Sequence, residues 1–291
     1  MHRFDYCAPA SLPETLALLD RYGKSARLIA GGTDLLTALK ERWEHPEMVI
    51  SLGRLDELHF IEYDEILGLR IGAGATIREV ETSPLIRTRY PVLAGAAATL
   101  ASIQIRNLAT VAGNICRASP SADMPPALLA LDASIKIAGS AGERLVPLSE
   151  AFLGPGRTVV CPNEVLTEIR VPPARPHSGA AYIKHSPRRA MDLAAIGLAA
   201  FLGLEGGRCV TVGIAMGAVA ATPRRARAAE AILLGQPPTP ERLAQAGETA
   251  AAESSPIDDV RGSAIYRRKM VRVLTERALL AALDMAQVNE A

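Results

Sequence analysis

At 291 residues the chain is long enough for two compact units, each burying its own core. With 49% hydrophobic and 22% charged residues and no long apolar run, it reads as an ordinary globular protein, which argues against disorder and against membrane insertion. The formal net charge of +1, with Lys and Arg spread along the chain, provides no field for nucleic acid or an anionic membrane, so a small molecule or another protein is the expected partner.

The start, Met1-His2-Arg3-Phe4-Asp5-Tyr6, lacks the regions of a secretion signal and the C-terminus carries no recognised sorting motif, so a cytoplasmic location is expected. Cys7, Cys116, Cys161 and Cys209 show no paired short spacing, which disfavours a zinc site, a dithiol motif or a thiolate-held cluster. They are expected to be reduced, partly buried thiols. His2, His45, His59, His177 and His185 form no ligand spacing, and no metal is assigned.

Ser11-Leu12-Pro13-Glu14 has capping-box spacing, and Leu12, Leu16 and Leu19 follow at helical intervals up to Gly23, so a first helix is predicted there. Arg27 to Ala30 reads as a buried strand, Gly31-Gly32-Thr33-Asp34 as a turn, and Leu35 to Arg42 as a helix. Strands are predicted at Met48–Leu52, Phe60–Ile66 and Leu69–Ala73, and a helix at Pro91–Ala101. Ser102 to Pro120, polar and glycine-containing, reads as a long extended loop before a helix at Met124–Leu131, and long loops in compact domains are usually functional.

Ala133–Ala138, Leu145–Leu148 and Val165–Val171 supply further strands. Pro172 to His177 reads as a linker. The expected division is therefore 1–174 and 175–291. In the second part, Ala194–Leu204 and Cys209–Gly217 flank Glu205-Gly206-Gly207-Arg208 as a hairpin, and Arg224–Leu234, Pro240–Ala252 and Gly262–Gln287 read as helices.

Two loops concentrate the chemistry. Paired glycines after a buried strand, ahead of a helix, let backbone N–H groups approach a phosphate at Ala30-Gly31-Gly32-Thr33-Asp34-Leu35, although a plain chain reversal needs the same residues. From Thr110 to Asp123 the sequence supplies hydroxyls, a glycine, an amide and a carboxylate. Donors of this kind suit a pyrophosphate, and a carboxylate suits ribose hydroxyls; Asp123 or Ser121 equally suits a helix cap. Neither loop is a P-loop or a Rossmann Gly-x-Gly-x-x-Gly, and Gly72-Ala73-Gly74-Ala75-Thr76 lacks the third glycine and reads as a strand end.

Leu28-Ile29-Ala30-Gly31-Gly32-Thr33-Asp34-Leu35, followed by Thr110-Val111-Ala112-Gly113-Asn114 and Ser119-Pro120-Ser121-Ala122-Asp123, resembles the two FAD motifs of the xanthine dehydrogenase family, as found in the medium, flavin-binding subunit of its bacterial members. The resemblance continues through Glu164 to Pro172, Ala181-Tyr182-Ile183-Lys184 with Arg188 and Asp192, and Asp258 to Arg261 with Tyr266-Arg267. It implies an α+β protein whose FAD-binding domain, of the vanillyl-alcohol-oxidase (PCMH) type, has two subdomains and is followed by a C-terminal sheet-and-helix domain. It implies that Ala30 to Leu35 and Thr110 to Asn114 surround the FAD pyrophosphate, that Asp123 holds the ribose end, that Leu166 and Lys184 add flavin contacts, and that Leu100 approaches the ring. The family motif has two glycines where this chain has Ala112-Gly113, so the Ala112 methyl can crowd the phosphate approach unless it points elsewhere.

The resemblance further implies a heterotrimer: a large subunit holding the molybdenum cofactor, a small subunit with [2Fe-2S] clusters, and this chain passing electrons to NAD+ or another acceptor. No residue of this chain is given a catalytic role. Two rivals stand beside that reading, a self-sufficient FAD-dependent oxidase and a flavin-free assembly scaffold. Lys184 alone reads equally well as a solvated strand-end lysine, and Arg188, Arg189, Arg224, Arg225 and Arg227 as solvated surface.

Overall fold

The computed structural model describes residues 2–188 and 190–288; Arg189 lies outside them. β1 (Asp5–Cys7), α1 (Leu12–Tyr22), β2 (Ala26–Ile29), α2 (Leu35–Lys40) and β3 (Met48–Ser51) form the first subdomain. Ser11 caps α1 by accepting from the Glu14 N–H, while the Glu14 carboxylate receives the Ala10 N–H at 2.9 Å, and Gly23 at φ 51° ends the helix. The three strands are parallel in the order β1-β3-β2. A parallel neighbour requires a crossover, and the glycine turn with α2 supplies the one between β2 and β3. The α2 helix stops at Lys40, short of the expected Arg42, which takes φ 60°.

The second subdomain contains β4 (Ile61–Asp64), β5 (Gly68–Gly72), α3 (Ile77–Thr82), α4 (Pro84–Arg89), α5 (Pro91–Ala98), α6 (Ile103–Arg106), α7 (Val111–Arg117), α8 (Met124–Ala130), β6 (Ser134–Gly139), β7 (Gly142–Pro147), β8 (Phe152–Gly154), β9 (Arg157–Thr158) and β10 (Glu164–Val171). Its main sheet is antiparallel in the order β4-β5-β10-β6-β7. Ile71, Ile135, Ile137 and Ile169 from this sheet share one core with Leu93, Ile115, Met124 and Leu128 from the helices. Val165 of β10 turns instead into the first subdomain's cluster with Leu19 and Ile50, which ties the two subdomains together.

The stretch expected as an extended loop is the main correction. Residues 102–120 hold two short helices, α6 and α7, because Ser102 and Thr110 each cap one and Val111, Ala112 and Ile115 put a narrow apolar face into the core. A polar composition hid a helix whose buried face is only one turn wide.

β11 (Ser178–His185), β12 (Ile196–Glu205), β13 (Arg208–Gly217) and β14 (Arg224–Arg225) make an antiparallel sheet, backed by α9 (Arg227–Leu233), α10 (Pro240–Glu253) and α11 (Ala264–Val288). The expected hairpin is present, with Gly206 and Gly207 both at positive φ, as a two-residue turn matched to strand twist requires. Arg224 and Arg225 belong to a strand and not to the predicted helix. Arg225 is buried rather than solvated, its guanidinium bonded to Glu230 at 2.7 Å, Asp132 at 2.8 Å and the Val212 carbonyl at 2.8 Å. The sheet rests on α8 so closely that a Cβ on Gly213 would lie 2.0 Å from the Ala130 carbonyl oxygen.

Cys116 and Cys161 are exposed, contrary to the expected partial burial, whereas Cys209 is buried and Cys7 half-buried. Among the described residues no helix is long and apolar enough to cross a membrane.

Candidate functional site

β2 runs into the first glycine loop, and that loop sits directly on the approach to the second. A Cβ on Gly31 would lie 1.9 Å from the Leu108 carbonyl oxygen, so only glycine permits this contact. Gly32 turns the chain at φ 72°, where a Cβ is disfavoured. Asp34 precedes α2 without capping it; its carboxylate reaches the other loop instead, with Oδ1 3.2 Å from Arg117 Nε. The Thr33 carbonyl receives the Thr37 hydroxyl at 3.2 Å.

The second loop is fixed by a short backbone bridge between Thr76 and Thr110, with the Ile77 N–H donating to Ala109 at 2.8 Å. Thr110 Oγ1 accepts from the Gly113 N–H at 3.0 Å and so starts α7. Helical spacing then sends the Ala112 methyl into the core while Gly113 is exposed. The alanine that replaces a family glycine therefore keeps negative φ and points its methyl into packed protein. Beside it, Asn114 Oδ1 is buried and accepts no hydrogen bond within the protein. A buried carbonyl oxygen without a donor is costly, and an exogenous N–H or O–H group would satisfy it.

Asp123 stands before α8 but does not cap it. Its Oδ1 accepts from the Tyr182 hydroxyl and its Oδ2 from Lys184 Nζ, both at 2.9 Å, and Lys184 also donates to the Thr99 carbonyl at 3.0 Å. Lys184 is thus no solvated strand end; 9% of its side chain is exposed. The helix-cap reading fails because β11 places Tyr182 and Lys184, two residues apart, on one face opposite this carboxylate. Burial pushes the Asp123 carboxyl above its ordinary range, against the pull of the Lys184 charge and the two hydrogen bonds. Burial, reinforced by the Asp123 charge, holds the Tyr182 phenol well above its usual value. An ammonium carries three donors, so Lys184 keeps one for whatever lies before it.

Before it lies a cleft of about 790 Å³, lined among others by Thr99, Ala101, Ser102, Arg106, Lys184 and Asp192. Leu100 belongs to the adjoining turn and packs into the same core as Leu166 and Ala112. A second cavity of about 720 Å³, between residues 172–175, Tyr90, Phe201 and Met285, contains none of the expected site residues. The structure thus groups the expected residues into two clusters: Ala30 to Asp34 against Leu108 to Asn114, and Asp123 with Lys184 beside the Leu100 turn. Leu28 and Ile29 lead in from β2, and Ser119 Oγ accepts from the Ser121 N–H at 3.3 Å. Thr99, Arg106 and Arg117 were given no site role from sequence, and Tyr182 entered only as part of the run that carries the resemblance, although the alternation that pairs it with Lys184 was there to be read.

The closely seated glycine loops, the orphaned Asn114 oxygen and the buried Lys184 at the edge of a cleft are the features of this chain that suit a polar ligand. Comparison with known proteins identifies the class. Residues 2–174 match the FAD binding domain in molybdopterin dehydrogenase, and residues 181–282 match the CO dehydrogenase flavoprotein C-terminal domain. The chain is 37% identical over 280 residues to the carbon monoxide dehydrogenase medium chain of Hydrogenophaga pseudoflava, covering 96% of this chain and 97% of the relative. It is 32% identical over 282 residues to the xanthine dehydrogenase FAD-binding subunit of Escherichia coli O157:H7, covering 97% and 96%. A solved carbon monoxide dehydrogenase from Hydrogenophaga pseudoflava that lacks the Mo-pyranopterin moiety of its molybdenum cofactor superposes with a TM-score of 0.93 at 39% identity, covering 97% of each chain. The chain belongs to the family of FAD-binding subunits of molybdenum hydroxylases, and its fold is the PCMH-type α+β fold with an added C-terminal domain. It is a flavoprotein component of an oxidoreductase.

Proposed function

We propose that this chain carries electrons from the [2Fe-2S] clusters of a small partner subunit to NAD+ or another acceptor, while a large molybdenum-binding subunit oxidises the organic substrate. The observation that carries this reading is the seating of the first glycine loop on the approach to the second, with the unpartnered Asn114 oxygen in the helix that the second loop begins. FAD, when bound, supplies both one-electron and two-electron chemistry, which no side chain provides. The backbone N–H groups of Ala30 to Leu35 and of Thr110 to Asn114 would hold its pyrophosphate, while Asn114 Oδ1, an acceptor, would take a hydroxyl or N–H of the cofactor, since the pyrophosphate has none to give. Leu28, Ile29, Leu100, Ser119 and Leu166 would shape the walls. Lys184 would direct its remaining N–H into the cleft, and Asp123, both of whose carboxylate oxygens are already bonded, would hold Lys184 in that position rather than bind ribose directly. The boundary near residue 174 would separate the FAD domain, 1–174, from a C-terminal domain, 175–291, that contributes Lys184 to the same site.

The test uses the purified full chain. Its visible absorption is recorded with added FAD, and then, without air, after NADH or candidate organic substrates. A flavin spectrum bleached by NADH and not by substrate is the expected result. Bleaching by substrate would replace this reading with a self-sufficient oxidase, and failure to take up FAD would leave a flavin-free scaffold.

A further inference from the structure

The turn that joins α5 to α6 takes an unusual conformation. Ala101 has φ 42°, in the left-handed region that a residue with a Cβ avoids. Three successive carbonyls of this turn are gripped by cations. Lys184 Nζ holds the Thr99 oxygen at 3.0 Å, and Arg106 Nη1 holds the Leu100 oxygen at 2.8 Å and the Ala101 oxygen at 3.4 Å. Arg106 is itself fixed from behind: its Nε and Nη2 meet the two oxygens of Glu81 at 2.8 and 3.4 Å. Arg78 closes on the same carboxylate at 3.0 Å. Only 9% of the Arg106 side chain and 11% of the Glu81 side chain are exposed.

A buried ion pair is an expensive way to stabilise a fold, since apolar residues of equal volume serve as well. This one spends its free N–H groups on the backbone of a single turn. That turn lines the 790 Å³ cleft through Thr99 and Ala101 and carries Leu100. A planar guanidinium is suited to the task, because one edge can take a carboxylate while the other grips carbonyls at set positions.

We propose that Arg106 is a positioning residue for the flavin ring: anchored on Glu81, it holds the Leu100–Ala101 turn in its left-handed form and so sets the protein wall against which the ring lies. The inference rests on the reading of the cleft as the flavin site. Without Arg106 the Ala101 backbone relaxes towards negative φ and the wall moves, although Lys184, Asp123 and both glycine loops stay in place. The ring's surroundings change while the pyrophosphate grip persists.

The test compares the full-length wild-type chain with Arg106→Met and Arg106→Lys, measuring FAD affinity by flavin fluorescence, the visible circular dichroism of the bound flavin and the melting temperature without FAD. The expected result for Arg106→Met is an altered visible dichroism and affinity weaker by about tenfold. Arg106→Lys is expected to restore charge but not the fork, leaving the dichroism altered at nearly wild-type melting temperature. Should Arg106→Met not fold, Arg106→Lys alone decides. A lowered melting temperature with unchanged dichroism and affinity in the folded variants would overturn the proposal and reduce Arg106 to a structural role. A wild-type chain that binds no FAD would instead overturn the reading of the cleft itself. Gly31→Ala separates the two cases further, since it is expected to weaken FAD binding without altering the dichroism of whatever flavin remains bound.

Discussion

Lys184 and Asp123 depend on each other for the same reason that both are buried. A carboxylate with 8% of its side chain exposed cannot be solvated, so its charge is tolerable only beside the ammonium. Replacing Lys184 with Met leaves the carboxylate without its cation, and we expect a loss of about 3–5 kcal/mol of folding stability at neutral pH. The loss should depend on pH in one direction. Burial already raises the Asp123 pKa above 3.8, and removal of Lys184 raises it further. A raised folded-state pKa gives stability that is complete below the unfolded value and is lost as pH rises through the folded value. The difference between Lys184→Met and wild type should therefore shrink as pH falls below the raised carboxylate value. Denaturant unfolding at several pH values checks this, and a difference independent of pH would show that the pair is not what the variant disturbs.

Within the elements, β10 shows how a strand can carry a charge through the middle of a sheet. Glu168 is buried between β5 and β6, with Arg70 Nε at 2.6 Å and Arg170 Nε at 2.9 Å on one carboxylate oxygen. Burial opposes ionisation here, yet the hydrogen bonds and charges of the two arginines outweigh it and hold the pKa below 4.5. A depressed folded-state pKa gives stability that is present above the unfolded value and lost as pH falls through the folded one. Acid should accordingly lower the melting temperature of the wild type below pH 4.5. In Glu168→Gln the melting temperature should start lower, by the equivalent of about 2–3 kcal/mol at neutral pH, and change less in acid. A variant with the wild-type acid slope would assign the slope to other carboxylates. The same element-scale view explains α7: Thr110 caps it, and three apolar side chains pay for a helix that its polar neighbours concealed.

Across the whole molecule, the C-terminal sheet and the FAD domain meet where glycines allow backbone to touch backbone. Gly213 of β13 faces the Ala130 carbonyl, Gly217 faces the Pro126 ring with the Pro120 carbonyl behind it, and the Ala218 N–H donates to the Pro120 carbonyl at 2.6 Å. This contact brings Lys184, on the C-terminal sheet, to Asp123 and Thr99 in the first domain. Gly213→Ala puts a methyl 2.0 Å from a carbonyl oxygen and must push the sheet off α8. We expect a stability loss of about 1–3 kcal/mol, as for other overpacked sites, together with weaker FAD binding although no proposed ligand residue is changed. Thermal melts and FAD titration on the same preparation test it. Undiminished affinity would show that the site does not depend on the seating of the two domains.

Local signals in the chain were reliable where the responsible forces act over a few residues. Ser11 with Glu14, the glycine pair at 206–207 and the Gly31-Gly32 turn are such cases, since caps and positive-φ turns are decided by residues within one turn of one another. The two motifs that mark the flavin subunit are legible for the same reason, being short runs of backbone-directed residues. Tertiary structure alone decided the rest. The insertion of β10 between β5 and β6 joins strands far apart in the chain, and no local preference chooses such partners. The helices inside residues 102–120, the burial of Arg225, the contact of Gly31 with Leu108 and the union of Asp123 with Lys184 likewise required the packed whole. Burial turns an ordinary polar residue into an obligatory partner, and which residues are buried is settled only when distant segments meet.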